Sequence, residues 1–359
     1  MKTLLTLLAL TGGLALASCG GDDNKEATKT TSESERLTAI KTYLLDHSEQ
    51  LVKDTEKLRE DADAYYASAE AVDFDYRKLL AGDKRAETEK QVKQLQKDMQ
   101  AANPSYEEME GVVAGVPELA DYDVIIDAGS DGSDPESAVP FSIETKAGKE
   151  YKQPGNFFNL VETSTFGTEP KFTAKDVEPD LNGDGKVEFG EALPDADFLQ
   201  AVATDFAEQA KDLEAAAEKW QPNNSDALTA VVVMTPTMSE YFGAWKNSRF
   251  VAGDKATEKG FVGASRTQDI ADILGGLVLI YDNIEPVIAR DDPDQAKQTG
   301  KDLDGLYAFA KKVRDEEAGG KKFTASDADT LGTEAQRRAE AIAGQVSQSA
   351  GKLKIEIEN

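Results

Sequence analysis

The stretch DLNGDGKVEFGE, residues 180–191, places oxygen-bearing side chains at its first, third, fifth, ninth and twelfth positions and a glycine at its sixth. Ca2+ is a hard ion that takes about six to eight oxygens at roughly 2.3–2.6 Å, and a twelve-residue loop can wrap it. Asp180, Asn182 and Asp184 are candidate side-chain donors, and Lys186 offers its backbone carbonyl. Glu188 acts directly or through water, and Glu191 closes the set in bidentate fashion. Gly185 permits the sharp turn that such a loop needs. Without a cation, the acids at 180, 184, 188 and 191 repel one another. Pro179 precedes the loop and Pro194 follows it closely, which disfavours the paired helices of a sensor-type EF-hand. With no second loop of this kind to pair with, the expectation is a structural ion rather than a switch.

A second acidic pattern lies in YEEMEG. Glu107 and Glu110 are three residues apart, so on a helix both carboxylates face one side. Such pairs suit hard or borderline cations such as ferric iron, and they also occur on solvated faces that bind nothing. Met109, Val112 and Val113 give this helix a buried side, which places at least one of the acids near its edge. YDNIEP repeats the theme with Asp282 and Glu285, and its Tyr281 is either a phenolate ligand or a core tyrosine. His47, the only histidine, falls on an apolar stripe between Leu44 and Leu51 and points inward. There it is either a packed, hydrogen-bonded residue or a ligand facing a carboxylate cluster. DAGSDGSDPE, residues 127–136, has no terminal bidentate acid in register and reads as a turn-rich surface loop. No nucleophile elbow or phosphate-cradling glycine loop is present in the sequence.

These residues need elements to hold them. Apolar positions at helical spacing run from Leu37 to Ala69, which predicts a long amphipathic helix. A second helix is expected from Asp83 to Ala102, stopped at Asn103-Pro104, and a third begins after Ser105. Residues 120–194 are rich in Gly, Pro, Asp and Asn, with β-prone pieces DVIID, VPFSIET and NFFNLVETSTF. They read as an irregular insertion with one hairpin, carrying the 180–191 loop. From Asp195 onward five helical segments follow, one of them interrupted at Pro236. Long helices with short polar linkers predict an all-α, antiparallel helical bundle, in two four-helix-type halves over 37–120 and 195–353. ILGGLVLIY lies inside a polar helix, so it is a bundle centre rather than a span, and Gly275-Gly276 invites close helix approach.

Composition narrows the function. Acids number 68 against 40 bases, a formal charge of −28, which argues against nucleic acid or anionic lipid as a partner. One histidine makes a His-rich zinc centre improbable. Lys2, the apolar run LLTLLALTGGLALA and the ending LASC resemble a lipoprotein signal over 1–18, with Cys19 as the lipid-bearing residue and a tether over 19–36. Cys19 is the only cysteine, so a disulfide within the chain is excluded. The expected location is extracytoplasmic, lipid-anchored to the cell envelope.

YEEMEGVVAGVPELADYDVIIDAG, AVPFSIET, PGNFFNLVE, SRTQDIADILGGLVLIYDNIEPVI and GKKFTASDADTLGTEAQRRAEAIAGQ resemble the imelysin-like family. They are closest to extracytoplasmic iron-uptake components of the EfeO/EfeM type. The likeness runs from about Leu37 to Leu353 and implies an all-α double bundle. It also implies capture of iron, as Fe3+ or Fe2+, for an Efe-type permease or peroxidase. The family signature is a His followed three residues later by Glu, but here Gln50 stands three after His47. The metal reading therefore rests first on Glu107 and Glu110, then on Asp282 and Glu285. The expected protein is a non-enzymatic, iron-binding lipoprotein with a structural Ca2+. The rivals are a metal-dependent imelysin-type peptidase and a calcium-dependent surface interaction module.

Overall fold

The computed structural model describes residues 31–358; the expected signal segment and Cys19 lie outside them. Chain order begins with α1 (Glu33–Glu70), α2 (Tyr76–Leu79), α3 (Lys84–Val113) and α4 (Ala120–Asp123), which runs into a π-helical turn, Val124–Ala128. A hairpin of β1 (Ser142–Glu144) and β2 (Glu150–Lys152) precedes α5 (Phe157–Thr165). Then come α6 (Ala196–Lys219), α7 (Asn224–Met234), α8 (Met238–Asn247) and α9 (Arg249–Ala252). The last three are α10 (Arg266–Ile288), α11 (Pro293–Ala318) and α12 (Ala325–Leu353). The fold is an all-α helical bundle.

In α1 the buried positions are Ile40, Leu44, Ser48, Leu51, Thr55, Leu58, Ala62, Tyr65 and Ala69, alternating steps of three and four as an inward stripe requires. The three hydroxyls in that stripe are satisfied, Ser48 donating to the Leu45 carbonyl, Thr55 to that of Leu51 and Tyr65 to that of Pro194. α1 packs on α3 and α6, while α10 packs on α3 and α11, and α12 on α7, α8 and α11. Helices α1 and α3 are antiparallel, since Ser68 and Asp54 of α1 meet Gln91 and Ser105 of α3 in reverse order. Helices α3 and α10 run parallel, Asn103 meeting Asp269 and Gly111 meeting Leu277. Polar side chains cap several helices. Asp195 caps α6, Asn223 caps α7, Ser265 caps α10, and Thr324 with Asp327 forms a capping box on α12.

Three local expectations are corrected. The helix does not stop at Asn103-Pro104: α3 runs straight through it. A proline inside a helix costs on the order of 3 kcal/mol. Here Met99, Ala102, Tyr106 and Met109, buried on both sides of Pro104, offset that cost. DVIID is not β-like but ends α4 and enters the π-helical turn, and NFFNLVETSTF is the core helix α5, capped by Asn156. Burial of Phe157, Phe158, Leu160 and Val161 outweighs their β preference. The hairpin itself is present, pairing Ser142 with Lys152 and Glu144 with Glu150.

α3 and α10 touch where Gly276 lies. A Cβ there would sit 2.4 Å from the Glu108 carbonyl oxygen, whereas one on Gly275 would meet the Tyr307 ring at an ordinary 3.6 Å. Gly276→Ala should therefore lower the unfolding free energy by about 1–3 kcal/mol, as overpacking does. Gly275→Ala should be neutral, or stabilising by up to about 1 kcal/mol from helix propensity. Thermal or urea unfolding of the two variants separates them; equal effects would contradict this account of the α3–α10 contact.

Candidate functional site

The residues that α3 and α10 bring together are mostly acids. Glu107 and Glu110 project from α3 into the interior and are 1% and 3% exposed. Asp123 ends α4, and Asp127 lies four residues on in the π-helical turn. Asp269 comes from the first turn of α10 and is fully buried. The single cation among them is Arg266, the first residue of α10. Its Nη1 lies 3.2 Å from Asp269 Oδ2, 3.5 Å from Glu107 Oε1 and 3.8 Å from Asp127 Oδ2. The guanidinium sits between two rings, 4.3 Å from the Tyr241 centroid and 4.5 Å from that of Phe261.

Neutral donors hold part of the nest in place. Tyr241 Oη donates to Glu110 Oε1 at 2.8 Å, Tyr106 Oη to Asp123 Oδ1 at 2.7 Å, and Asn103 Nδ2 to Asp269 Oδ1 at 2.8 Å. Two carboxyl oxygens, Glu107 Oε2 and Glu110 Oε2, are buried and take no donor from other residues, while the two carboxyls lie within hydrogen-bonding reach of each other. Glu107, Glu110 and Asp127 each offer one oxygen within 4.8 Å of the others. An all-oxygen set of this kind suits a hard or borderline cation.

Burial dominates the electrostatics. It pushes Glu110 up to about 7 and Asp269 up to about 6, with Arg266 opposing the shift in both. Glu107 and Asp123 are driven well above the usual carboxylate range by burial, and neighbouring acids add to this. Asp127 is raised by burial and held back by Arg266. One guanidinium cannot keep five buried carboxyls ionised, so the nest retains protons unless another cation enters. A cavity of about 730 Å³ reaches it, lined among others by Glu110, Asp127, Asn159, Glu162, Tyr241 and Arg266.

The other candidate residues go elsewhere. His47 stays on α1 at the outer side of α3, where its Nδ1 lies 3.1 Å from Glu108 Oε2 and its ring packs edge-on against Tyr43. It does not join Glu107 and Glu110, because Glu108 projects from another face of α3. Asp282 is raised by partial burial, with Asp304 as its acidic neighbour, and Tyr281 is a core tyrosine donating to the Ala296 carbonyl. Neither Asp282 nor Glu285 belongs to the set around Glu107. Within 127–136, Asp127 turns inward, while Asp131 and Asp134 accept from Ser133 and Ser137 as turn residues do.

The 180–191 loop is exposed and laced by its own acids. Asp180 accepts from Gly183 N at 2.7 Å and Gly185 N at 3.1 Å, Asn182 from Asp184 N, and Asp184 from Lys186 N. Glu191 closes it, taking Asn182 N on one oxygen and Glu188 N on the other. Gly185 has φ +86°, as the turn requires. No helix abuts the loop on either side, in line with Pro179 and Pro194.

Sequence reasoning did not single out Asp123, Glu162, Tyr241, Arg266 or Asp269, and it read Asp127 as part of a surface loop. The signal was there for two pairs: Asp123 and Asp127 are four apart, and Arg266 and Asp269 three apart, each facing one side if the segment is helical.

The chain matches the family model for imelysin over residues 39–348. It belongs to the imelysin family. A comparison with curated proteins gives no match. The match spans every element of the nest, from α3 to α10, so the acids lie inside the family domain rather than in an appended segment.

Glu162 supplies a pH test. Its Oε1 accepts from Val262 N and Gly263 N, and burial pushes its carboxyl up to about 7. A raised native value means that the protonated form favours folding. That contribution is complete below the unfolded value of 4.5 and is lost as pH rises through about 7. Glu162→Gln keeps the acceptor and cannot ionise. The variant should gain stability relative to the parent between pH 4.5 and 7, at about 1.4 kcal/mol per pK unit. Parallel urea titrations would show a constant difference if Glu162 were unperturbed.

Proposed function

We propose that this imelysin-family chain captures a transition-metal cation, with iron as the cargo, in the nest formed by Glu107, Glu110 and Asp127. The observation that carries this reading is a buried trio: Glu107, Glu110 and Asp127 each offer one oxygen within 4.8 Å of the others, and Glu107 Oε2 and Glu110 Oε2 take no donor from the rest of the protein. An unpaired buried acceptor is costly, and a cation satisfies both at once. The chemistry is ligand exchange without turnover: carboxylate oxygens replace water, and protons held by the nest leave as the ion enters. Cell-envelope attachment through lipid on Cys19 and delivery to a permease or peroxidase of an Efe-type system complete the proposal. It rests on the EfeO/EfeM-like stretches of sequence.

Titration with ferrous ion under anaerobic conditions, and with a soluble ferric chelate, tests it. The parent should bind one ion that is lost, or weakened at least ~100-fold, in the Glu107→Gln/Glu110→Gln variant. Unchanged stoichiometry and affinity would rule out the assignment. Metal-dependent cleavage of a peptide mixture that disappears in the same variant would favour the peptidase alternative.

A structural Ca2+ in residues 180–191 is the second part of the proposal. Asp180, Asn182, Asp184, Glu188 and Glu191, with the Lys186 carbonyl, would supply its oxygens. Glu191→Gln should weaken calcium affinity at least ~10-fold while leaving iron stoichiometry intact, since it removes the bidentate ligand. An unaltered calcium isotherm would contradict the loop assignment.

A further inference from the structure

Arg266 is held in an unusual way for a buried arginine. Its closest approach to each of three acids is made by Nη1, at 3.2, 3.5 and 3.8 Å, and the one hydrogen bond among these contacts is to Asp269. There is no two-pronged pairing of the kind that fixes a guanidinium on a carboxylate. Its Nε is buried with no partner. The carboxylates it touches, Glu107 and Asp127, are two of the three that offer oxygens for a cation. A guanidinium and a metal ion therefore compete for the same groups, and both are positive.

The structure also provides somewhere for the side chain to go. Arg266 lines the cavity of about 730 Å³, and so do Asp131, Glu240 and Glu258, acids outside the nest. The two rings on which the guanidinium rests, Tyr241 and Phe261, line the same cavity. The loop that carries Phe261 is fixed: Glu162 takes Val262 N and Gly263 N, Gln100 donates to the Gly263 carbonyl, and Thr168 to that of Lys259. Motion is thus left to the arginine side chain rather than to the loop.

We propose that Arg266 is a resident cation that stands in for the cargo, swinging into the cavity when a metal ion binds and returning to displace it on release. Capture and delivery then become an exchange of one positive charge for another. The nest is never left bare, and the ion is held less tightly than the acids alone would hold it. This rests on the cation-binding reading above and deepens it by naming what drives release.

The test loads the parent, Arg266→Gln and Arg266→Lys proteins with ferrous ion without oxygen and follows transfer to an excess of a chromogenic chelator. Release from Arg266→Gln should be at least ~10-fold slower than from the parent, because the competing charge is gone. Arg266→Lys should release at nearly the parental rate. Release from Arg266→Gln as fast as from the parent, or faster, overturns the proposal. If that variant does not fold, the iron-loaded parent decides by diffraction. The guanidinium should have left Glu107 and Asp127 for the cavity, and finding it in place beside a bound ion overturns the proposal equally. A parent that binds no iron through Glu107 and Glu110 would instead defeat the underlying reading of the site.

Discussion

A guanidinium between two aromatic rings, facing five carboxyl groups inside a helical bundle, is the constraint around which this molecule is arranged. Isolated charges of this kind are expensive to bury, and a buried acid survives only when paired, hydrogen-bonded or protonated. Each device is present here: Arg266 pairs with Glu107, Asp127 and Asp269, the phenols of Tyr106 and Tyr241 donate to Asp123 and Glu110, and burial raises all five acids. The rest of the fold serves to hold these groups at one depth. Helix α3 delivers two acids from a single turn, Glu107 and Glu110, the π-helical turn delivers Asp127, and the start of α10 delivers both Arg266 and Asp269.

The local backbone choices make sense in that light. Gly276 lets α10 approach the Glu108 carbonyl, closing the α3–α10 contact near the acids. Pro104 is tolerated within α3, and with no break there Asn103, on the near side, still reaches Asp269 while Glu107 and Glu110 reach the interior beyond it. The π-helical turn adds one residue to its ladder, the kind of irregularity that often accompanies functional sites. Stability elsewhere comes from the long stripes of α1, α6 and α12, which bury no comparable charge.

Much of the fold was legible in the sequence. The stripe of α1, the return to helix at Asp195 and the break at Pro236 follow local rules, and local rules suffice for long amphipathic helices. DVIID and NFFNLVETSTF misled because their β-branched and aromatic residues serve burial in helices, and periodicity in short apolar runs does not separate the two. For the site, Glu107 and Glu110 were visible because both lie on one helix turn. Asp123, Asp127, Arg266 and Asp269 were not, since their meeting depends on the contact between α3 and α10, and Gly275-Gly276 signals a close helix approach without saying which helix comes near. His47 was read onto the inward stripe of α1, but Ser48 takes that position and His47 sits half-buried at its edge beside Glu108, because spacing alone does not separate adjacent positions on a helix.

The measurement that bears most directly on the acidic nest is anomalous diffraction from crystals exposed to iron, recorded at the iron edge. The account predicts a single strong peak between Glu107, Glu110 and Asp127, at roughly the 2.0–2.2 Å that carboxylate oxygens keep from first-row metal ions. Iron bound elsewhere on the chain, with those three carboxylates left as they are and no peak among them, would contradict it.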